Sequence, residues 1–185
     1  MILLDNHMNI LSIDNIANLT YAKNININNI RPSRAGVIAY TVYKKKTYFI
    51  LGIDTKSGDI TDFGGGISLK REDALQGGLR EFSEETLGIF GKITVDEIKN
   101  SLVIYDDKNL IIFIHLSFDI CEKYFEFQKR VKQCEKPEVI DLKFLDKKAF
   151  LSLINGNNVD GSVLYDRIRT VLSNTKSKVN FFNLL

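Results

Sequence analysis

Glu72, Arg80, Glu81, Glu84 and Glu85 place five charged side chains, four of them carboxylates, directly downstream of the glycine run Gly64-Gly65-Gly66. Carboxylates are hard oxygen donors, and three that converge become favourable once a hard cation such as Mg²⁺ sits among them. The spacing predicts a helix from Asp73 to Leu87. Leu75, Leu79 and Phe82 then share a stripe that buries, and Glu81, Glu84 and Glu85, at i, i+3 and i+4, lie on the far side. Neighbouring like charges cost such a helix about 0.2–0.5 kcal/mol per pair, and Gly77 and Gly78 cost about 1 kcal/mol each relative to alanine. The helix is badly made for stability alone, and local rules are broken where function demands it. Gly77 and Gly78 lie one turn before Glu81, where bare backbone would let the Gly64–Gly66 loop approach. An E-x-x-E-E run ordinarily means a solvated acidic face. The glycine run and the arginine beside the first carboxylate weigh against that reading here.

The order Gly66, five residues, Glu72, seven residues, Arg80-Glu81-Phe82-Ser83-Glu84-Glu85 resembles the Nudix box, G-x5-E-x7-R-E-U-x-E-E-x-G-U, with U a bulky apolar residue. Every charged position and the first glycine match. Leu87 stands where the final glycine is expected, and Gly88-Ile89 follow one place late. That extra residue falls after the last carboxylate, so it should move the helix end and not the ligands. Gly64 is a second departure, at a place where many members carry proline.

The resemblance implies a Mg²⁺ ion, with Mn²⁺ as the substitute, held by Glu81, Glu84 and Glu85 and the backbone carbonyl of Gly65. It implies catalytic roles for Glu84, Arg80, Glu72 and Glu138. Arg80 would hold Glu81 or Glu72 in rotamer, and a carboxylate would take the proton of the attacking water. Glu84 is the first choice for that base and Glu138 the second, with Glu135 and Asp141 as further candidates just before or within the next strand. The activity implied is hydrolysis of a pyrophosphate bond in a phosphorylated small molecule. Candidates are nucleoside triphosphates, nucleotide sugars, dinucleoside polyphosphates and diphosphoinositol polyphosphates, with an RNA cap as a larger alternative. A non-catalytic module that senses a nucleotide or binds a partner is the competing class. Such modules usually lose box carboxylates, and all of them survive here.

The elements that must position these residues are legible as well. Gly36–Tyr43 and Thr47–Ile53 are β-branched and aromatic and read as a hairpin across Lys44-Lys45-Lys46. Asp59–Phe63 gives a short strand into the glycine run, so strand, glycine loop and helix follow in the order the box needs. Ser101–Tyr105 and Leu110–Phe118 flank a turn at Asp106–Asn109, the second run apolar enough to be central and buried on both faces. His115, inside that run, reads as a core residue. Ile120, Tyr124, Phe127 and Val131 recur at helical spacing up to Lys136-Pro137. Glu138–Leu145 alternates, Asp146 is placed to cap a helix through Leu151 and Leu153, and Val163, Leu164, Ile168, Val171 and Leu172 form a last helix. The fold class expected is α/β, a Nudix-type α/β/α sandwich with a mixed β-sheet.

The chain of 185 residues divides into an asparagine- and isoleucine-rich extension over 1–34, a hydrolase domain over 35–175 and a tail over 176–185. Asn24 to Asn28 alternate like an exposed strand, and Arg31-Pro32-Ser33-Arg34 mark the boundary. The tail, ending Phe181-Phe182-Asn183-Leu184-Leu185, is apolar enough to dock. With 25 basic and 23 acidic side chains the net charge is +2, which gives no general pull toward nucleic acid. The basic groups Lys44–Lys46, Lys129-Arg130 with Lys132, and Lys176 with Lys178 are scattered. Cys121 and Cys134 are too few and too far apart for a disulfide framework and read as reduced thiols in a cytoplasmic protein. No apolar run reaches the length of a membrane span, and the opening Met1–Asp5 is too short for a signal peptide.

Overall fold

The β-branched runs form one mixed sheet of eight strands: β1 (Asn18–Tyr21), β2 (Arg34–Tyr43), β3 (Lys46–Asp54), β4 (Ile60–Thr61), β5 (Phe63–Gly66), β6 (Leu102–Tyr105), β7 (Asn109–His115) and β8 (Val139–Asp146). Four helices accompany it: α1 (Ala74–Glu85), α2 (Ile120–Val131), α3 (Lys147–Ile154) and α4 (Asp166–Ser173). The computed structural model describes residues 17–26, 29–68, 70–175 and 181–185.

β2 and β3 pair as the expected hairpin, closed by Lys44 and Lys45, both at positive φ. Two left-handed residues give the turn a twist that suits the strands, at a cost lysine bears less easily than asparagine or glycine. Beyond Ile50 the hairpin splits. β4 pairs with β3 at Gly52 and Ile53, while β5 pairs with β2 from Arg34 to Val37. This split opens the cleft that carries the site. β7 runs parallel to β2 over Arg34–Tyr40, which makes the sheet mixed.

Alternation along the central strands builds two cores. Val37 and Ala39 of β2 with Leu110, Ile112 and Ile114 of β7 face Leu75, Leu79 and Phe82 of α1 and Phe127 of α2. Ile38 with Ile111 and Phe113 faces the other way, onto Phe150 of α3 and Ile168, Val171 and Leu172 of α4. The helices therefore lie on both faces, α1 and α2 on one and α3 and α4 on the other, and the layering is α/β/α. Asp146 caps α3 as expected, accepting from the Ala149 N–H at 2.8 Å.

Three expectations change. The strand of the N-terminal segment is β1, paired antiparallel with β6. Asn24 instead closes a 3₁₀ turn at Ala22–Asn24, and Ile27 and Asn28 lie outside the described residues. His115 is exposed at the last rung of β7, its ring 5.2 Å from that of Tyr40, because the strand ends there and the segment to Phe118 is coil. In α2 only Phe127 is fully buried. Phe181 and Phe182 dock in the second core, Phe182 edge-on to Phe150, so the tail seals that face. Lys176 and Lys178 lie outside the described residues. Among the described residues no helix is long and apolar enough to cross a membrane.

Candidate active site

The box helix begins at an Asp73 capping box. The Asp73 carboxylate accepts from the Gln76 N–H at 2.9 Å, and the Asp73 N–H donates to the Gln76 side chain at 3.0 Å. From that fixed start Leu75, Leu79 and Phe82 bury as the stripe predicts. Gly77 and Gly78 serve a different neighbour from the one expected. A Cβ on Gly78 would press on Ile112 at 3.1 Å, and one on Gly77 on Ile67 at 3.2 Å. Their bare backbone lets α1 sit low on the sheet.

The acidic residues divide between two hollows beside α1. Glu85 turns into the cleft between the split strands and accepts from the Gly64 N–H at 2.9 Å. Glu81 lies against the glycine strand, its side chain 13% exposed, and a Cβ on Gly65 would meet its carboxylate at 2.6 Å. Glu84, 60% exposed, lines a separate hollow with Gln76, Ser83 and Lys92. The expected common far side for all three is therefore not observed. Among the described residues no three acidic, histidine or cysteine side chains stand close enough to hold a metal ion as they are oriented.

Arg80 is the organiser of this group. Its Nε and Nη2 donate to both Glu72 oxygens at 3.0 Å, Nη2 also reaches Glu81 at 2.8 Å and the Gly66 carbonyl at 3.1 Å, and Nη1 reaches Glu84 at 3.0 Å. The expected partner was Glu81 or Glu72, and the planar fork serves both and Glu84 as well. The hydrogen bonds from Arg80 hold Glu72 below the usual carboxylate range and raise Arg80 itself.

A buried ion pair not expected from the sequence stands behind the glycines. Arg34 donates to both Asp62 oxygens, at 2.9 and 2.6 Å, and to the Gly64 carbonyl at 2.8 Å. Asp62 is fully buried. Room for it comes from Gly36, whose Cβ would overlap the Asp62 carboxylate, and Gly64 packs directly on the Gly36 backbone. The only hint in the sequence is a charge at each end of apolar strand-forming runs.

Burial pushes Glu85 up to about 9, with the Asp62 charge adding to the rise and Arg34 and the Gly64 N–H opposing it. Glu81 is also raised, chiefly by burial, with Glu84 and Glu138 adding to it against Arg80. With Asp62 and Glu85 both ionised, Arg34 would leave one negative charge unbalanced at the cleft floor. An unpaired buried carboxylate is costly, and the oxygen-only donor set of Glu81, Glu85 and the Gly65 carbonyl suits a hard divalent cation. In donor chemistry, though not in their present orientation, these residues fit such an ion.

The cleft has a volume of about 450 Å³ and is lined by Arg34, Gly64–Gly66 and Glu85 on the floor, with Lys56, Glu138, Tyr165 and Arg167 among the residues of its walls. Glu138 thus shares the cleft with Glu85, as the second-choice base. Glu135 lines an adjoining hollow with Lys136 and Pro137, and Asp141 is engaged by Gln128 at 2.7 Å.

No protein-family model and no curated protein matches this chain. Solved structures similar to it include a binary complex of the Caenorhabditis elegans Ap4A hydrolase, at 16% identity and TM-score 0.48, covering 82% of this chain and 98% of that one. The NUDIX domain of Shewanella oneidensis NrtR, complexed with ADP ribose, is similar at 13% identity and TM-score 0.42, covering 80% and 90%. A MutT/Nudix family protein from Listeria innocua is similar at 13% identity and TM-score 0.43, covering 84% and 99%. The ligands named there belong to those proteins.

Proposed function

We propose that this chain is a Nudix-type hydrolase that uses Mg²⁺, or Mn²⁺ in its place, to split a pyrophosphate bond in a nucleoside diphosphate linked to another moiety. The observation that carries the reading is Glu85: a carboxylate buried on the cleft floor beside the glycine strand, where the nearby Arg34 is already shared with Asp62. Glu81, Glu85 and the Gly65 carbonyl would hold the ion, with Glu84, which shares the Arg80 fork with Glu81, as a further ligand. A bound divalent cation neutralises phosphate charge and makes water more acidic.

The chain's own groups supply the rest. The Gly64 N–H fixes Glu85, and Arg80, tied to Glu72, fixes Glu81. Arg34 keeps the cleft floor from carrying two unbalanced charges. Of the two candidate bases, Glu84 and Glu138, we favour Glu138, which lines the cleft with Glu85 whereas Glu84 lines a separate hollow. Its carboxylate would take a proton from water as the water oxygen bonds to phosphorus and the bridging oxygen leaves with the departing phosphate.

Release of phosphate or nucleotide from a panel of diphosphate-linked compounds, with Mg²⁺ and with EDTA, tests the reading. Turnover that requires the metal and disappears in Glu85→Gln is expected. Turnover unaffected by EDTA, or none on any member of the panel, overturns it.

A further inference from the structure

The wall of the cleft carries a second charge pattern that hydrolysis of a bare diphosphate bridge does not use. Lys56 and Arg167 both line it, and among the described residues neither the Lys56 ammonium nor the Arg167 guanidinium makes a hydrogen bond or ion pair. Most other arginines of the described chain are engaged: Arg34, Arg80, Arg130 and Arg169 each hold a carboxylate. Two cations without a contact partner lining one concavity are a poor way to stabilise a fold and a good way to hold an anion.

Both are carried on backbone that is tied down. Asp54 accepts from the N–H groups of Lys56 and Ser57 at 2.9 and 2.7 Å and from the Ser57 hydroxyl at 3.0 Å, which fixes the turn after β3. Thr55 bolts that turn to the Glu138 segment, its hydroxyl donating to the Pro137 and Glu138 carbonyls at 2.6 and 2.9 Å. On the facing side the Ile60 N–H donates to the Val163 carbonyl and the Tyr165 N–H to the Ile60 carbonyl, at 2.9 and 2.8 Å. These bonds set Tyr165 and, two residues on, Arg167 at the start of α4. The Asp54 carboxylate is engaged by its turn and feels the Lys56 charge without an ion-pair contact, so the ammonium keeps its donors free.

We infer that Lys56 and Arg167 form a second phosphate subsite, so that the cleft selects a small nucleotide carrying at least three linked phosphates over one carrying two. Tyr165, partly exposed in the same wall, supplies aromatic surface for the nucleobase. The inference rests on the hydrolase reading for the two phosphates at the acidic floor and adds the recognition of the third.

The test is binding, so that it does not depend on turnover. Methylene-bridged nucleoside triphosphate and diphosphate analogues are titrated with Mg²⁺ into the wild type, Lys56→Ala, Arg167→Ala and the double variant. The wild type should prefer the triphosphate. The double variant should lose that preference by about ten- to a hundredfold, the scale of hydrogen bonds to a charged group, with the single variants between. Both side chains are exposed, and unchanged melting temperatures show that the variants fold. An unchanged preference, or a wild type that binds neither analogue, overturns the inference. Retained selective binding without hydrolysis of any substrate would sink the hydrolase reading alone.

Discussion

Glu85→Gln separates a carboxylate placed for a cation from one that is merely buried. The folded protein raises this group from 4.5 to about 9, so the neutral acid is the form that folding favours. For an acid so raised, stability is fully present below the unfolded value and is lost as pH climbs from 4.5 toward 9. At pH 7.5 the group sits about 3 units above its unfolded value. At roughly 1.4 kcal/mol per unit, the proton that folding must take up at this pH costs on the order of 4 kcal/mol, a large share of the stability of a small domain. For a chain of this length that is roughly 8–16 °C in melting temperature. Metal-free wild type should therefore melt progressively lower between pH 5 and 8, and Mg²⁺ should restore much of the loss. Glu85→Gln, which keeps an oxygen for the Gly64 N–H but carries no charge, should lose most of that dependence, keep only the part that the raised Glu81 contributes, and gain little from Mg²⁺. Glu72, Glu126 and Asp54 are lowered by their partners, so their contributions fade only as pH falls below the carboxylate range and do not confuse the window. The measurement is a melting scan by differential scanning fluorimetry at three pH values with and without the metal. A flat wild-type profile, or equal metal stabilisation of the variant, would refute the reasoning.

Arg34→Met should strand the fully buried Asp62 without a partner and cost about 3–5 kcal/mol, read by urea unfolding, whereas the double change with Asp62→Leu should recover most of it. Gly64→Ala, whose new methyl would meet the immovable Gly36 and Ala35 backbone, should destabilise by more than 2 kcal/mol or fail to fold solubly. Arg80→Lys, at a partly exposed site, should leave the melting temperature within a few degrees yet lower kcat about 10–100-fold, because an ammonium cannot span Glu72, Glu81 and Glu84 together. Glu138→Gln should lower kcat by about 10²–10⁴ while an unhydrolysable analogue still binds, and Glu84→Gln should lower it less; the reverse order of the two would return the base to Glu84.

The layered architecture was legible because apolar alternation and helical spacing are local signals. β7 reads as buried on both faces from its unbroken apolar run, and α1 from its Leu75, Leu79, Phe82 stripe. The charges of the box were legible too, as was the pairing of Arg80 with them, since one fork beside several carboxylates must choose among close neighbours. The orientation of those carboxylates was not. Glu81 and Glu85 turn inward because the split of β2 from β3 brings the glycine strand against that edge of α1, and a split sheet is a non-local event. Arg34 was hidden for the same reason: beside Pro32 it reads as the end of a linker, and only the pairing of β2 with β5 and β7 carries it inside. Lys56, Tyr165 and Arg167 come to one cleft through β4, which lies within the short strand expected over Asp59–Phe63 but whose bridge to Val163 and Tyr165 no local pattern announces.

The one irregularity of the box shows how the ligand frame tolerates a change of length. Leu87, not glycine, takes the left-handed position after the helix, its N–H bonding to the Glu84 carbonyl at 3.1 Å, while the Gly88 N–H closes onto the Ser83 carbonyl at 2.8 Å. This is a Schellman ending, which a glycine would make without the 1–2 kcal/mol or so that a left-handed leucine costs. The loss is offset by packing of Leu87 on the core and by Arg130, whose Nη1 donates to the Leu87 carbonyl at 2.6 Å while Nη2 is held by Glu126. Everything that fixes the carboxylates lies upstream or sideways: the Asp73 box, Gly78 on the sheet, the Gly64 N–H on Glu85. An added residue beyond Glu85 therefore loads its strain onto the turn and α2, and the spacing of Glu81 and Glu85 against the glycine strand is unaffected.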